Sequence, residues 1–207
     1  MASIANRRSI MVLYSDQSTP ISHAVRIVLA EKDINVEINY VDGERPEELN
    51  ELNPYNTILT LIDRDLVLYE AQIVMEYLDE RFPHPPLMPV DPVARAINRQ
   101  FRYRVMRDLY ALIDDMESSN ESTASGAKKT LRDNLTSLTP VFDQKPYFMS
   151  DEYSLIDCCM APLIWRLHAW GVKLSASTKS LARYGERLFS RKSFKESLSA
   201  YEKELNK

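Results

Sequence analysis

The run from Leu59 to Pro89 constrains this chain more than any other stretch, because it holds a hairpin, a helix and a rigid exit in one continuous segment. Leu59 to Ile62 and Leu66 to Tyr69 are short apolar runs around Asp63-Arg64-Asp65, the pattern of two antiparallel strands joined by a tight polar turn. Glu70 then opens a helix. Ile73, Val74, Tyr77 and Leu78 fall on one face, which predicts the buried side, and Glu76, Asp79, Glu80 and Arg81 are expected on the wet side. Pro83, Pro85 and Pro86 end it, since each ring removes an N–H donor and pushes the preceding residue out of the helical region.

Upstream of this segment, residues 1–9 read as a polar arm and Ile10 to Tyr14 as a continuous apolar strand of the kind found inside α/β sheets. Ser15 to Thr19 is a turn, and Pro20 sits in the first turn of a helix that Ser18 or Thr19 can cap. Val36 to Val41 reads as a second strand, so residues 10–41 form a β-α-β unit with parallel strands. A short acidic helix over Glu44 to Leu52 completes the order β-α-β-α-β-β-α, a thioredoxin-like arrangement spanning residues 10–86.

Downstream, the character changes to all-α over residues 87–207. Asp91-Pro92 caps a helix reaching about Glu117, with Ala94, Ile97, Phe101, Val105, Leu109, Leu112 and Met116 at helical spacing. Ser118 to Gly126 reads as a polar loop and Ala127 to Phe142 as the returning helix. Ser154-Leu-Ile-Asp157 has capping-box spacing before a helix that is apolar nearly all round. Lys179 to Phe189 and Phe194 to Leu205 complete the helical set.

Composition excludes several classes of function. The net charge of −4, with no block of Lys and Arg, argues against a direct grip on nucleic acid. No run approaches the roughly 20 apolar residues of a membrane span, and the apolar run after Arg7-Arg8 is too short for a signal peptide, so a cytoplasmic location is expected. The two cysteines, Cys158 and Cys159, are adjacent within a helix and suit core filling. No metal-ligand spacing joins His23, His84 and His168, and with four glycines there is neither a P-loop nor a dinucleotide-binding turn, so no metal or cofactor is expected. His23 beside Arg26 is read as part of a polar helix face, and His168 near Trp165 and Trp170 as part of a core or interface stripe.

Together, the β-α-β-α-β-β-α order, the proline exit, the helical half and the Ser154–Asp157 cap resemble the glutathione S-transferase superfamily over almost the whole chain. Within it, Arg26-Ile-Val-Leu-Ala-Glu-Lys32, Tyr77-Leu-Asp-Glu-Arg-Phe-Pro-His-Pro-Pro-Leu-Met-Pro-Val90, Pro92-Val-Ala-Arg95, Lys145-Pro-Tyr-Phe-Met-Ser-Asp-Glu-Tyr-Ser-Leu-Ile-Asp-Cys158 and Ala161-Pro-Leu-Ile-Trp-Arg-Leu167 resemble the stringent starvation protein A family. That resemblance implies an RNA-polymerase-associated regulator of the bacterial starvation and stress response, with a transferase fold but no transferase activity, generally dimeric. The partner it implies is RNA polymerase holoenzyme near the primary sigma factor; the twin subunit is either identical or a paralogue.

Three positions in the superfamily's glutathione site depart from its pattern. Thr19 stands where cysteine-dependent members carry a nucleophile before the helix-opening proline, and an unactivated hydroxyl is no substitute for a dipole-stabilised thiolate. Ser15 and Ser18 remain, either as turn and cap residues or as hydroxyls for a thiolate. Thr60, after Leu59, takes the place of a cis-proline; a cis bond there would cost about 2.5–4 kcal/mol, so the bond is expected to be trans and the thiol-peptide site damaged. Glu70-Ala71 replaces an acidic residue followed by serine, which leaves Glu70 an ordinary partner for the helix dipole.

The same resemblance assigns the partner-binding surface to Phe82, Pro83, His84, Pro85 and Pro86, which from composition alone would read as a stiff link. Fixed proline dihedrals reduce the entropy lost on binding, and His84 adds a hydrogen-bonding ring. Asp91 departs from the aromatic residue that relatives often carry there. Phe101, Tyr103 and Tyr110 on the long helix are candidate dimer contacts. The competing reading is a glutathione-dependent transferase or thiol reductase using Ser15, Ser18 or Thr19.

Overall fold

The computed structural model describes residues 10–206, so the expected arm over residues 1–9 lies outside the described residues. Strands β1 (Met11–Ser15), β2 (Val36–Tyr40), β3 (Thr60–Asp63) and β4 (Leu66–Leu68) form one sheet in the order β2-β1-β3-β4. β1 pairs parallel with β2, whereas β3 runs antiparallel to both β1 and β4. Side chains alternate across β1: Met11 and Leu13 join the main core, while Val12 and Tyr14 meet Ile62 and Leu49, which lies on α2 (Glu47–Leu52), on the opposite face. The main core is shared with helices α1 (Pro20–Glu31) and α3 (Ala71–Arg81), and α1 in turn packs on the helical half.

That half comprises α4 (Pro92–Asp108), α5 (Ile113–Met116), α6 (Glu121–Leu138), α7 (Val141–Gln144), α8 (Leu155–Arg166), α9 (Lys179–Ser190), α10 (Lys192–Ser197) and α11 (Ala200–Glu204). Helix α8 is its axis, with Leu155 to Ile164 buried without interruption, both cysteines among them. Its start is the expected capping box. Asp157 is fully buried and accepts from Ser154 N at 2.8 Å, Phe148 N at 2.9 Å and Tyr184 Oη at 2.7 Å. Gly185 lets α9 close on α8, because a Cβ there would stand 3.0 Å from the Ile164 side chain. Among the described residues no helix is long and apolar enough to cross a membrane.

Several element readings need correction. Ile73 is 56% exposed, and the buried ridge of α3 runs through Ala71, Val74, Met75 and Leu78. Asp79, expected on the wet side, is buried because it finds the Lys32 ammonium at 2.6 Å. The long helix stops at Asp108 and resumes as α5 after a 3₁₀ turn over Tyr110–Leu112; that turn keeps Leu109 and Met116 inward, so the apolar spacing survives the break. The loop expected over Ser118 to Gly126 is mostly helix, since Asn120 caps α6 by accepting from Ser122 N and Thr123 N. The last predicted helix is two, divided where Ser199 caps α11. His168 is exposed.

Candidate functional site

The sheet gathers the three altered positions at one end. Thr60 opens β3 opposite Tyr14, next to the turn that follows β1, and Leu68 at the end of β4 lies across from Leu61. Glu70 and Ala71 follow directly, with Glu70 Oε1 accepting from Gln72 N at 3.3 Å as the cap of α3. Leu59 and Thr60 are buried, and the Thr60 hydroxyl is held by Asn53 Nδ2 at 3.2 Å. Among the described residues the cis peptide bond is His84–Pro85, so Leu59–Thr60 is trans.

In the β1–α1 turn the hydroxyls of Ser15 and Thr19 have local tasks. Asp16 organises it, accepting from Ser18 N, Thr19 N, Thr19 Oγ1 and Ser22 Oγ, and Thr19 caps α1. Ser15 has no exposed surface; its hydroxyl donates to the Asp16 carbonyl and accepts from Arg26 Nη1. Thr19 and Ser18 are exposed and line a cleft of ≈ 680 Å³ between the sheet end and the helical half. Asp114, Glu117, Tyr110 and Trp170 form its far wall.

Beneath the turn lies a polar core that the sequence reading missed. Arg26 forms two bonds of 2.7 Å with the Glu202 carboxylate, and Arg166 contacts the same carboxylate. Arg166 also donates to the Ser18 carbonyl at 3.0 and 3.2 Å, and Ser199 Oγ donates to the Gln17 carbonyl at 2.8 Å. His23 fills the space between, Nε2 facing Ser197 Oγ at 3.1 Å and Nδ1 facing Arg166 Nη1 at 3.2 Å. The turn is thus fixed from below by the end of the chain.

His23, expected on a polar face, is fully buried, as is Arg26. Burial, helped by the charges of Arg166 and Arg26, holds its imidazole well below its ordinary value. An unfolded chain takes up this proton near pH ~6.5, whereas the folded one does not. The contribution is therefore complete above that pH and is lost as pH falls below it. His23→Gln should remove up to about 1.4 kcal/mol per pH unit from the slope of stability on the acid side. Urea midpoints of both proteins across that range measure the difference.

The expected partner surface lies elsewhere. Pro83, His84, Pro85 and Pro86 are exposed and Phe82 is half-buried, with Arg81 stacked over its ring at 5.5 Å. Helix α3 separates this segment from Glu70-Ala71, a span of about 16 Å for its 11 residues. Immediately beyond, Leu87 and Met88 are buried, and Leu87 O accepts from Leu155 N at 2.9 Å.

The signals for the missed core were present but ambiguous. Arg26 interrupts the apolar run Ala24 to Leu29, Arg166 stands between Trp165 and Leu167, and Ser199 to Glu202 has capping-box spacing. Each taken alone reads as a solvated charge. Only the packing of α1 on α8 and α10 brings them into one place.

The fold agrees with what comparison finds. Residues 13–86 match the family profile described as "Glutathione S-transferase, N-terminal domain", and residues 101–192 match "Glutathione S-transferase, C-terminal domain". A Tau class glutathione S-transferase from mango superposes with a TM-score of 0.82 at 23% identity, covering 95% of this chain and 96% of that one. The class is therefore that of proteins with the glutathione S-transferase fold. A stringent starvation protein A homolog of Pasteurella multocida is 50% identical over 96% of this chain and 94% of its own length. One of Coxiella burnetii is 51% identical over 96% of each. The chain belongs to the stringent starvation protein A family.

Proposed function

We propose that this chain is a non-enzymatic transcription regulator that binds RNA polymerase holoenzyme, near the primary sigma factor, as a dimer presenting Pro83, His84 and Pro85. The observation that carries this reading is the contrast between two places: the four residues Pro83 to Pro86 stand exposed, while Ser15 at the β1–α1 turn is sealed by Arg26. Family membership supports it through the resemblance argued from the sequence motifs. A surface of fixed backbone dihedrals and one imidazole is suited to docking on a protein, because little conformational freedom remains to be lost.

The dimer reading gains a different set of residues from those first expected. Of Phe101, Tyr103 and Tyr110, only Tyr103 is exposed, and Tyr110 Oη is spent on the Cys159 carbonyl at 2.8 Å. Ile73 on α3, Val90 just before α4, and Val93 and Ile97 at the start of α4 are instead 56%, 88%, 66% and 47% exposed. Those two helices are tied by Arg99 and Glu76 at 2.9 Å, and exposed apolar side chains gathered in this way suit an isologous contact.

Capture of polymerase from a bacterial lysate on tagged protein tests the reading. Wild type should retain polymerase, and a folded dimer with Pro83, His84 and Pro85 all changed to Ala should not. Retention by neither overturns it. The transferase alternative keeps one observation in its favour, the exposed Ser18 and Thr19 beside the cleft. Micromolar glutathione affinity with turnover would establish that alternative; millimolar or no affinity would remove it.

A further inference from the structure

Lys32 and Asp79 lie in the first two motifs that carry the family resemblance, and neither has a part in the sites described above. Helix α1 ends at Lys32 because Asp33 turns into the left-handed region at φ +50° and Ile34 N bonds back to Leu29 O at 3.3 Å. That ending directs the Lys32 side chain inward, where it has no exposed surface. Its ammonium donates to Asp79 Oδ1 at 2.6 Å and to the Pro85 carbonyl at 2.5 Å. The same Asp79 oxygen accepts from Leu87 N at 2.8 Å. The two peptide groups flanking Pro86 are thus both held from beneath by one buried ion pair. On the outer side, Pro83, His84, Pro85 and Pro86 face solvent.

We infer that Lys32 and Asp79 are positioning residues for the exposed Pro83–Pro86 surface, setting its presentation to a protein partner from the end of α1 and the buried face of α3. The inference rests on the proposed role of that surface. A buried ion pair is weak evidence for stability, since apolar replacements of similar volume are often neutral or better. Fixing a backbone is a different service. Prolines set φ within the segment but leave its attachment to the domain free, and the Pro85 carbonyl and the Leu87 N–H on either side of Pro86 anchor it there. Both anchors end on this pair, and a segment already anchored loses less freedom when it docks.

The test replaces the pair as a unit, Lys32→Met with Asp79→Asn, so that no buried charge is stranded and an acceptor for Leu87 N remains. A second variant, Lys32→Gln with Asp79→Asn, keeps a donor for the Pro85 carbonyl and serves if the first does not fold. Amide exchange at Leu87 and affinity for purified polymerase holoenzyme are measured, alone and with Pro83, His84 and Pro85 changed to Ala. The expected result is exchange faster by about tenfold in this segment only, affinity weaker by about tenfold, and no further loss in the triple-Ala background. The Gln variant should recover part of the affinity. Unchanged exchange, or unchanged affinity in a protein whose wild type binds, overturns the positioning role. Losses that add to those of the triple-Ala protein also overturn it, because they report general destabilisation. A wild type that does not bind holoenzyme overturns the proposed function itself, and the positioning role with it.

Discussion

Glu202→Ala should lower the unfolding free energy by about 3–5 kcal/mol, the cost of leaving buried charges without their counter-ion. Two guanidiniums, those of Arg26 and Arg166, converge on this carboxylate, and all three side chains are almost without exposed surface. The alanine also removes the oxygen that accepts from Ser199 N at 2.9 Å, so the capping box of α11 loses that half and keeps only the bond from the residue 202 backbone N–H to Ser199 Oγ. For a chain of this length, each kcal/mol is worth about 2–4 °C, so the thermal midpoint should fall by roughly 10 °C. A change below about 1 kcal/mol would mean that the arginines find water instead, and that the chain end does not brace the β1–α1 turn.

Asp157→Ala should cost about as much, roughly 3–5 kcal/mol, through a different mechanism. Its oxygens accept from two backbone N–H groups, the Ser154 hydroxyl at 3.1 Å and the Tyr184 hydroxyl, all buried. Alanine strands these donors and loosens the junction where Phe148, α8 and α9 meet. Burial outweighs the bonds in setting the acidity: the Asp157 carboxyl is raised above its ordinary value. Stability from this group is accordingly complete below the unfolded-state value and is lost as pH rises through the folded-state value. Asp157→Asn should remove that dependence while keeping part of the cap, which paired urea titrations in the acid range would resolve.

The parts of the fold legible in the sequence are those set by local chemistry. Asp63-Arg64-Asp65 makes the hairpin, Pro83 stops α3, and Ser154 with Asp157 starts α8, each through neighbours within a few residues. What escaped depends on distant partners. Asp79 reads as solvated until the end of α1 brings Lys32 to it, and His23 and Arg26 read as a polar face until α8, α10 and α11 close over them. Ser118 to Gly126 reads as a loop because Ser, Thr and Asn favour turns, and the start of α6 at the Asn120 cap is hidden within it. In the candidate site, the altered positions Thr19, Thr60 and Ala71 could be read one by one. The sealing of Ser15 could not, because Arg26, which closes it, is held in place by Glu202, 176 positions further along the chain.

On the proposed function, a transferase fold has moved its activity from the turn after β1 to the exposed segment after α3. Titration of purified polymerase holoenzyme with labelled protein, without and with saturating glutathione, tests it most directly. Saturable binding that glutathione leaves unchanged, and that is lost when Pro83, His84 and Pro85 become Ala, is the expected result. Absence of holoenzyme binding together with tight glutathione binding and turnover would contradict it, and would return the function to Ser18, Thr19 and the cleft they line.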